Sequence, residues 1–216
     1  MDPITLKINE IFYSIQGESL LAGKPSVFIR TSACNLRCVW CDTGYSFWKG
    51  KVMSLEEVLA EVAKFEAQYV CVTGGEPLGQ RGTIELLHRL LKNQYTVSLE
   101  TNGSFSIEDV PSEVMKIVDI KCPDSGEVES FHEENLNLVQ AHDQFKFVVA
   151  SEADFRWARE LSEKHKLDKK CTVLFSPVYG KVSPKELANW ILDDRAPATM
   201  QTQMHKEIWG PKERGV

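Results

Sequence analysis

A chain of 216 residues is long enough to bury a full hydrophobic core and short enough to suit one domain, expected here over residues 1–216. With 43% hydrophobic and 26% charged residues it is too apolar for disorder, and its formal net charge of −6 argues against a protein that tracks nucleic-acid phosphates. No apolar run approaches the length of a bilayer span, and the opening MDPITLKINE lacks a basic region followed by an apolar core, so the expectation is a cytosolic protein with reduced thiols and no membrane partner.

In chain order, Ile15, Gln16, Gly17 and Glu18 within FYSIQGES read, taken alone, as a turn at the end of a strand. SVFIR (26–30) is a near-continuous apolar run and leads directly into CNLRCVWCDT (34–43). SLEEVLAEVAKF is helical, with Ser54 and Glu57 spaced as a capping box. YVCVT (69–73) then precedes VTGGEP's glycines, TIELLHRLL is helical, and YTVSLE (95–100), KIVDI (116–120) and FKFVV (145–149) are further strand-like runs. SEADFRWARELSEKH is helical, CTVLF (171–175) is a strand, and SPKELANWIL carries Ser183, Pro184 and Glu186 as a strong helix start. TMQTQ (199–203) is the last strand-like run.

Apolar strands alternating with helices predict right-handed crossovers and a mostly parallel sheet buried on both faces. A complete eight-unit barrel takes about 250 residues. The chain is shorter, and the stretches 101–115 and 121–144 hold little helical pattern, so the expected fold class is an incomplete, splayed parallel β/α barrel. Its site belongs at the C-terminal ends of the strands, where the cysteine loop follows SVFIR.

Cys34, Cys38 and Cys41 fall within eight positions, while Cys71, Cys122 and Cys171 are isolated and read as core residues or lone thiols. A closed zinc site needs a fourth ligand; His205 or His88 could supply it, but no spacing points to either. Three thiolates can instead hold three irons of a [4Fe–4S] cluster and leave the fourth iron open, which fits a catalytic cluster better than a closed electron carrier.

Cys-x-x-x-Cys-x-x-Cys after the first strand and GGEP after the second resemble the radical S-adenosylmethionine (SAM) enzymes. That resemblance implies that the open iron chelates the methionine end of SAM and that reductive cleavage yields a 5′-deoxyadenosyl radical. Gly74 and Gly75 would allow close backbone approach to the methionyl amine, and Trp40 would pack near the adenine. With FYSIQGES, FIR, WCDT, LETNG and QTQMHK added, the chain resembles the 7-carboxy-7-deazaguanine synthase family from about residue 8 to 206.

The family resemblance implies conversion of 6-carboxy-5,6,7,8-tetrahydropterin to 7-carboxy-7-deazaguanine and ammonia, in the route to queuosine and other 7-deazapurines. It also implies a radical SAM-type partial barrel, a regenerated SAM, Mg²⁺, a homodimer, and an electron donor such as flavodoxin or ferredoxin. Carried over by residue, Ile15, Gln16, Gly17, Glu18, Arg30, Thr73, Glu100 and His205 would bind the pterin, with Arg30 pairing with its carboxylate. Thr43 would ligate Mg²⁺. Trp40, Gly75, Asp119, Ile120, Lys121, Ser176, Pro177, Val178 and Tyr179 would contact SAM, although the family often shows SPK and QP where this chain has DIK and SP. The chain also runs past His205 into IWGPKERGV, longer than some relatives. Two competing readings are a glycyl-radical activating enzyme, disfavoured by QGE, CDT and QMHK, and more distantly a non-catalytic zinc-binding module.

Overall fold

The computed structural model describes residues 4–211, 214 and 215, so Met1–Pro3, Lys212, Glu213 and Val216 lie outside the described residues. One nine-stranded sheet organises the chain, in the order β3-β1-β2-β4-β5-β6-β7-β8-β9. Here β1 is Thr5–Ile15, β2 Pro25–Thr31, β3 Lys51–Ser54, β4 Tyr69–Gly74, β5 Thr96–Thr101, β6 Met115–Asp119, β7 Gln144–Val149, β8 Thr172–Pro177 and β9 Thr199–Met200. From β2 to β9 every neighbouring pair is parallel, as the apolar runs predict. The two outer strands β3 and β9 do not pair with each other, which leaves the barrel incomplete.

Two strands, β1 and β3, went unread in the sequence. β1 pairs antiparallel with both β2 and β3, forming a hairpin-like extension on the parallel sheet. Its LKINEIFYSI segment mixes lysine, asparagine and glutamate with apolar residues, because only one of its faces is covered. β9 is shorter than the TMQTQ run: beyond Met200 the chain leaves the sheet and forms a helical turn.

The helices form where the start signals stand. In α1 (Leu55–Ala63) and α5 (Pro184–Asp193) both halves of each capping box are made, by Ser54 with Glu57 and by Ser183 with Glu186. α2 (Thr83–Lys92) and α4 (Glu152–His165) follow their predicted segments, and α4 stops at Lys166, whose φ of 52° ends the helix in the left-handed region. α3 (Asn135–Leu138) and α6 (Met204–Trp209) are short additions. The helices bury Val58, Val62, Leu86, Leu90, Phe155 and Leu187 against the sheet. Phe175 stacks on Phe147 at 5.4 Å and packs against Phe155 at 5.4 Å, so the β7–β8 end is sealed by aromatic contacts.

The opposite face of the parallel strands carries the chemistry. Side chains alternate along a strand, so residues two apart share a face. Phe28 and Arg30, Thr73, Glu100, Ile117 and Asp119, and Lys146 and Val148 all point inward, and the register sets Arg30 beside Thr73 and Asp119 beside Lys146.

Candidate active site

The inward residues at the C-terminal ends of β2, β4, β5, β6 and β7 line a cavity of about 410 Å³. The rest of its wall comes from the end of β1 and the turn after it, the cysteine loop after β2, the segment after β8, and α6 with the residues before it. Cys34, Cys38 and Cys41 all face it. Among the described residues no three His, Cys, Asp or Glu side chains converge on a point where one ion could sit. Three thiols facing one cavity could each take a separate iron of one cluster. Burial pushes the thiols of Cys34 and Cys38 up, and at Cys38 the Lys121 charge opposes that rise. The other three cysteines are buried in the core.

The cysteine loop is held by its neighbours. A Cβ on Gly75 would collide with the carbonyl oxygen of Ala33 and lie 2.9 Å from the backbone nitrogen of Cys34. Gly74 has φ 154° and its Cβ would lie 2.6 Å from the backbone nitrogen of Thr31. The glycines thus let the end of β4 press against the loop that carries the first cysteine, a need that the sequence signals only as a glycine pair. Glu76, 2% exposed, accepts from the backbone nitrogens of Leu78 (2.9 Å) and Asn102 (2.6 Å) and from the Thr101 hydroxyl (2.8 Å). Burial raises its carboxyl, and these donors oppose the rise. Asn102 in turn donates to Asn35 (3.0 Å) and to the Cys34 sulfur (3.6 Å). GGEP and LETNG are therefore one brace under the cysteine loop.

On the other side of the cavity, Arg30 gives its Nε to Glu10 at 2.7 Å and stands over the rings of Phe12 and Tyr45. Tyr45 donates its hydroxyl to the same Glu10 oxygen at 2.7 Å. Burial works against the guanidinium's charge, but Tyr45 and Glu10 outweigh it and raise its pKa. Among the described residues the two terminal nitrogens of Arg30 make no hydrogen bond, so they are left facing the cavity as free donors. Glu100 is fixed from both sides, by Gln16 Nε2 (3.2 Å) and the Thr73 hydroxyl (2.9 Å).

α6 closes the site. His205 approaches Gly17, and the backbone nitrogen of Met204 donates to the Gly17 carbonyl at 3.1 Å. Gln201 clamps the backbone of Ser19 through both ends of its amide, at 2.6 and 2.9 Å. Gln203 donates to Glu18 (2.8 Å) and to Asp42 (3.3 Å), and Lys206 reaches Asp42 at 2.7 Å. Burial alone would raise the Asp42 carboxyl, but the Lys206 ammonium outweighs it and holds it at about 2.

The radical SAM superfamily profile matches residues 28–120. A 7-carboxy-7-deazaguanine synthase of Koribacter versatilis is 44% identical over 98% of this chain and 100% of its own length. The protein of that name from Chlorobaculum tepidum is 45% identical, over 98% of this chain and 97% of its own. The chain belongs to the 7-carboxy-7-deazaguanine synthase family. A crystal structure of QueE from Escherichia coli shares the fold, with a TM-score of 0.77 at 22% identity over 93% of this chain and 95% of that one. Family membership makes the chain a radical SAM enzyme of 7-deazapurine biosynthesis, with a [4Fe–4S] cluster and SAM as its cofactors. The zinc-module and glycyl-radical activating readings give way to it.

Against the family pattern, all eight residues expected at the pterin line the cavity: Ile15, Gln16, Gly17, Glu18, Arg30, Thr73, Glu100 and His205. So do Thr43 and, from the expected SAM set, Trp40, Gly75, Asp119, Lys121, Val178 and Tyr179. Three expected contacts do not reach it. Ile120 and Pro177 have the outward parity of their strands, and Ile120 is 1% exposed in the core. Ser176 has the inward parity but is covered, and its buried hydroxyl finds no partner among the described residues. Missed in the sequence were Asp42, Lys146, Gln203 and Lys206. Lys146 could have been found, as a lone cation inside the apolar FKFVV run.

Proposed function

We propose that the cavity binds 6-carboxy-5,6,7,8-tetrahydropterin and turns it into 7-carboxy-7-deazaguanine with loss of ammonia. The observation that carries this reading is Arg30, a charged guanidinium with its inner nitrogen tied to Glu10 and its two outer nitrogens free in the cavity. That fork matches a carboxylate. Two strands away and beyond Thr73, Glu100 offers a pre-oriented carboxylate for the amino and ring N–H donors of a pterin, with the lone pairs that Gln16 and Thr73 leave open.

Cluster and SAM, when bound, supply the one-electron chemistry that removes hydrogen from the pterin ring. The chain's residues do the rest by position. Cys34, Cys38 and Cys41 would hold the cluster and leave one iron to SAM. Trp40, Gly75, Val178 and Tyr179 face the same volume as those thiols, and Asp119 and Lys121, paired at 2.6 Å, present charge to the polar end of SAM. α6 covers one side of the volume, which limits the access of bulk water there.

In this reading Mg²⁺ would bind at Thr43. The Thr43 hydroxyl is 3.6 Å from the Cys41 sulfur, and the neighbouring Asp42 is already taken by Lys206 and Gln203. A single hydroxyl, the substrate carboxylate and water suit an ion that sheds its waters reluctantly. The protein is further expected to act as a homodimer in the cytoplasm, reduced by flavodoxin or ferredoxin; no helix among the described residues is long and apolar enough to cross a membrane.

Anaerobic turnover with the carboxylated pterin tests the reading. Mass spectrometry should show a product that has lost nitrogen as ammonia, with many products per SAM consumed. Stoichiometric SAM loss with unchanged pterin would refute the substrate assignment while leaving the radical SAM assignment intact.

A further inference from the structure

Cys34, Cys38 and Cys41 do not meet the same surroundings. The Cys34 sulfur receives two N–H groups, from the backbone of Leu36 at 3.4 Å and from Asn102 Nδ2 at 3.6 Å. The Cys41 sulfur has the Thr43 hydroxyl at 3.6 Å, and among the described residues the Cys38 sulfur has no hydrogen bond. Leu36 belongs to the cysteine loop itself. Asn102 arrives from just beyond the end of β5, 68 residues along the chain from Cys34.

Ser104 decides which way the Asn102 amide points. Its backbone N–H can only donate, and it lies 3.0 Å from Asn102 Oδ1; its hydroxyl adds a second bond to that oxygen at 2.6 Å. The oxygen is thereby fixed on the Ser104 side, so the NH₂ group faces the loop. Its two protons go to Asn35 Oδ1 at 3.0 Å and to the Cys34 sulfur. Asn35 Nδ2 closes the ring by donating to the Ser104 hydroxyl at 2.8 Å. The Asn102 backbone nitrogen is held separately, by the buried Glu76 carboxylate at 2.6 Å. Asn102 is 9% exposed, so its amide is largely shielded from water. The Asn35 contact already ties this segment to the loop. The second proton is aimed at an atom whose charge changes with the oxidation state of the cluster.

We propose that Asn102 sets the reduction potential of the cluster, by holding an N–H on the Cys34 thiolate that favours the reduced state. The inference rests on the radical SAM assignment and not on the pterin. Reduction adds one negative charge, shared by the irons and their thiolates. An N–H dipole aimed at the sulfur stabilises that state more than the oxidised one, so the potential is higher with the bond than without it. Low exposure keeps the difference from being screened away. No covalent bond changes and no proton moves: the amide shifts the balance of one electron supplied by an external reductant.

The test is a redox titration of the reconstituted holoenzyme with dithionite, followed by the electron paramagnetic resonance signal of the reduced cluster, with iron per chain measured alongside. Asn102→Leu removes the donor at similar volume and leaves the backbone bond to Glu76. Its ratio of reduced to oxidised cluster at a fixed poise should fall about tenfold, ~59 mV for a one-electron couple. Asn102→Asp keeps the acceptor for Ser104 but cannot donate once ionised, and its charge should lower the ratio further. Asn35→Ala removes only the other partner of the amide and should stay near wild type. The iron–cysteine stretching bands in resonance Raman spectra should move in both Asn102 variants and not in Asn35→Ala. Equal midpoints in wild type and the Asn102 variants, an equal fall in Asn35→Ala, or loss of iron from both Asn102 variants overturns the proposal. The last two results would make Asn102 a brace of the loop and nothing more. Each of these outcomes leaves the pterin assignment untouched, since product formation tests that separately.

Discussion

Gly17 and His205, far apart in sequence, meet with no room for a side chain between them: a Cβ on Gly17 would collide with the imidazole Nδ1 and lie 2.9 Å from the His205 backbone nitrogen. The glycine is needed for this approach alone, since it has no left-handed backbone to explain it. Gly17→Ala must therefore push the start of α6 outward, at about 1–3 kcal/mol for a methyl forced into a packed contact. The expected outcome is a KM for the pterin raised roughly tenfold or more with the cluster intact. Adding His205→Ala to Gly17→Ala should cost little further, because the first change has already withdrawn the histidine. Full additivity in KM would show that the two residues act separately.

Lys146 and Glu18 form a buried ion pair, each side chain 12% exposed. Burial would lower the Lys146 pKa, but Glu18, Asp119 and Glu100 outweigh it and raise it. For Glu18 burial would raise the carboxyl, and Lys146 holds it below its ordinary value of 4.5. Removing one partner strands the other, so Lys146→Met should destabilise the chain by about 3–5 kcal/mol, and Lys146→Met with Glu18→Gln should recover much of that. The sign with pH follows: the pair's contribution is present above the carboxyl's unfolded value and is lost as pH falls through the depressed folded one. Urea midpoints of wild type and Glu18→Gln should converge in acid; a gap that widened there would contradict the pairing.

The fold was legible wherever one periodicity ruled. SVFIR, YVCVT and FKFVV are apolar on both faces because both faces are covered, and the capping boxes at Ser54 and Ser183 mark helix starts by local hydrogen bonding alone. β1 was not legible, since a strand covered on one side and sharing its pattern with charges has no such run. In the site, motif residues could be read one by one, but their mutual bonds could not. The Gln203–Asp42–Lys206 latch joins the C-terminal segment to the cysteine loop through side chains with no sequence spacing. Ile120 and Pro177 lie off the cavity for a different reason: a motif names a segment, whereas strand parity decides which of its side chains faces the cavity.

Thr43 carries the proposed Mg²⁺ site, and the Lys206–Asp42 pair keeps the adjacent carboxylate out of it. Thr43→Ala should weaken the Mg²⁺ dependence of turnover and raise the apparent need for pterin, while Thr43→Ser keeps both, because the hydroxyl remains. Lys206→Met frees Asp42 beside the hydroxyl, so apparent metal affinity should rise, with Mn²⁺ favoured more than in wild type. Metal titrations that coincide for wild type and Thr43→Ala would remove the site.

Arg30 offers the sharpest test of substrate choice. Its Nε is fixed by Glu10 at 2.7 Å, and the aromatic rings of Phe12 and Tyr45 hold the guanidinium plane, so the free nitrogens are aimed before any ligand arrives. Breaking a buried charge pair typically costs about 2–5 kcal/mol, or roughly thirtyfold to several-thousandfold in affinity. Arg30→Ala should bind 6-carboxytetrahydropterin that much more weakly and still cleave SAM slowly without product. It also strands Glu10, so Arg30→Ala with Glu10→Gln serves as the control for fold. Lysine keeps the charge but cannot bond Glu10 and a carboxylate in one plane, so Arg30→Lys should fall between. Tetrahydropterin without the carboxylate should bind wild type poorly, and the alanine variant should barely tell the two pterins apart. A calorimetric titration of both compounds against wild type and the variants decides it: equal discrimination would mean that Arg30 serves Glu10 and Tyr45 alone, and the carboxylate would have to be read by another cation, such as Lys121, Lys146 or Lys206, which line the same cavity.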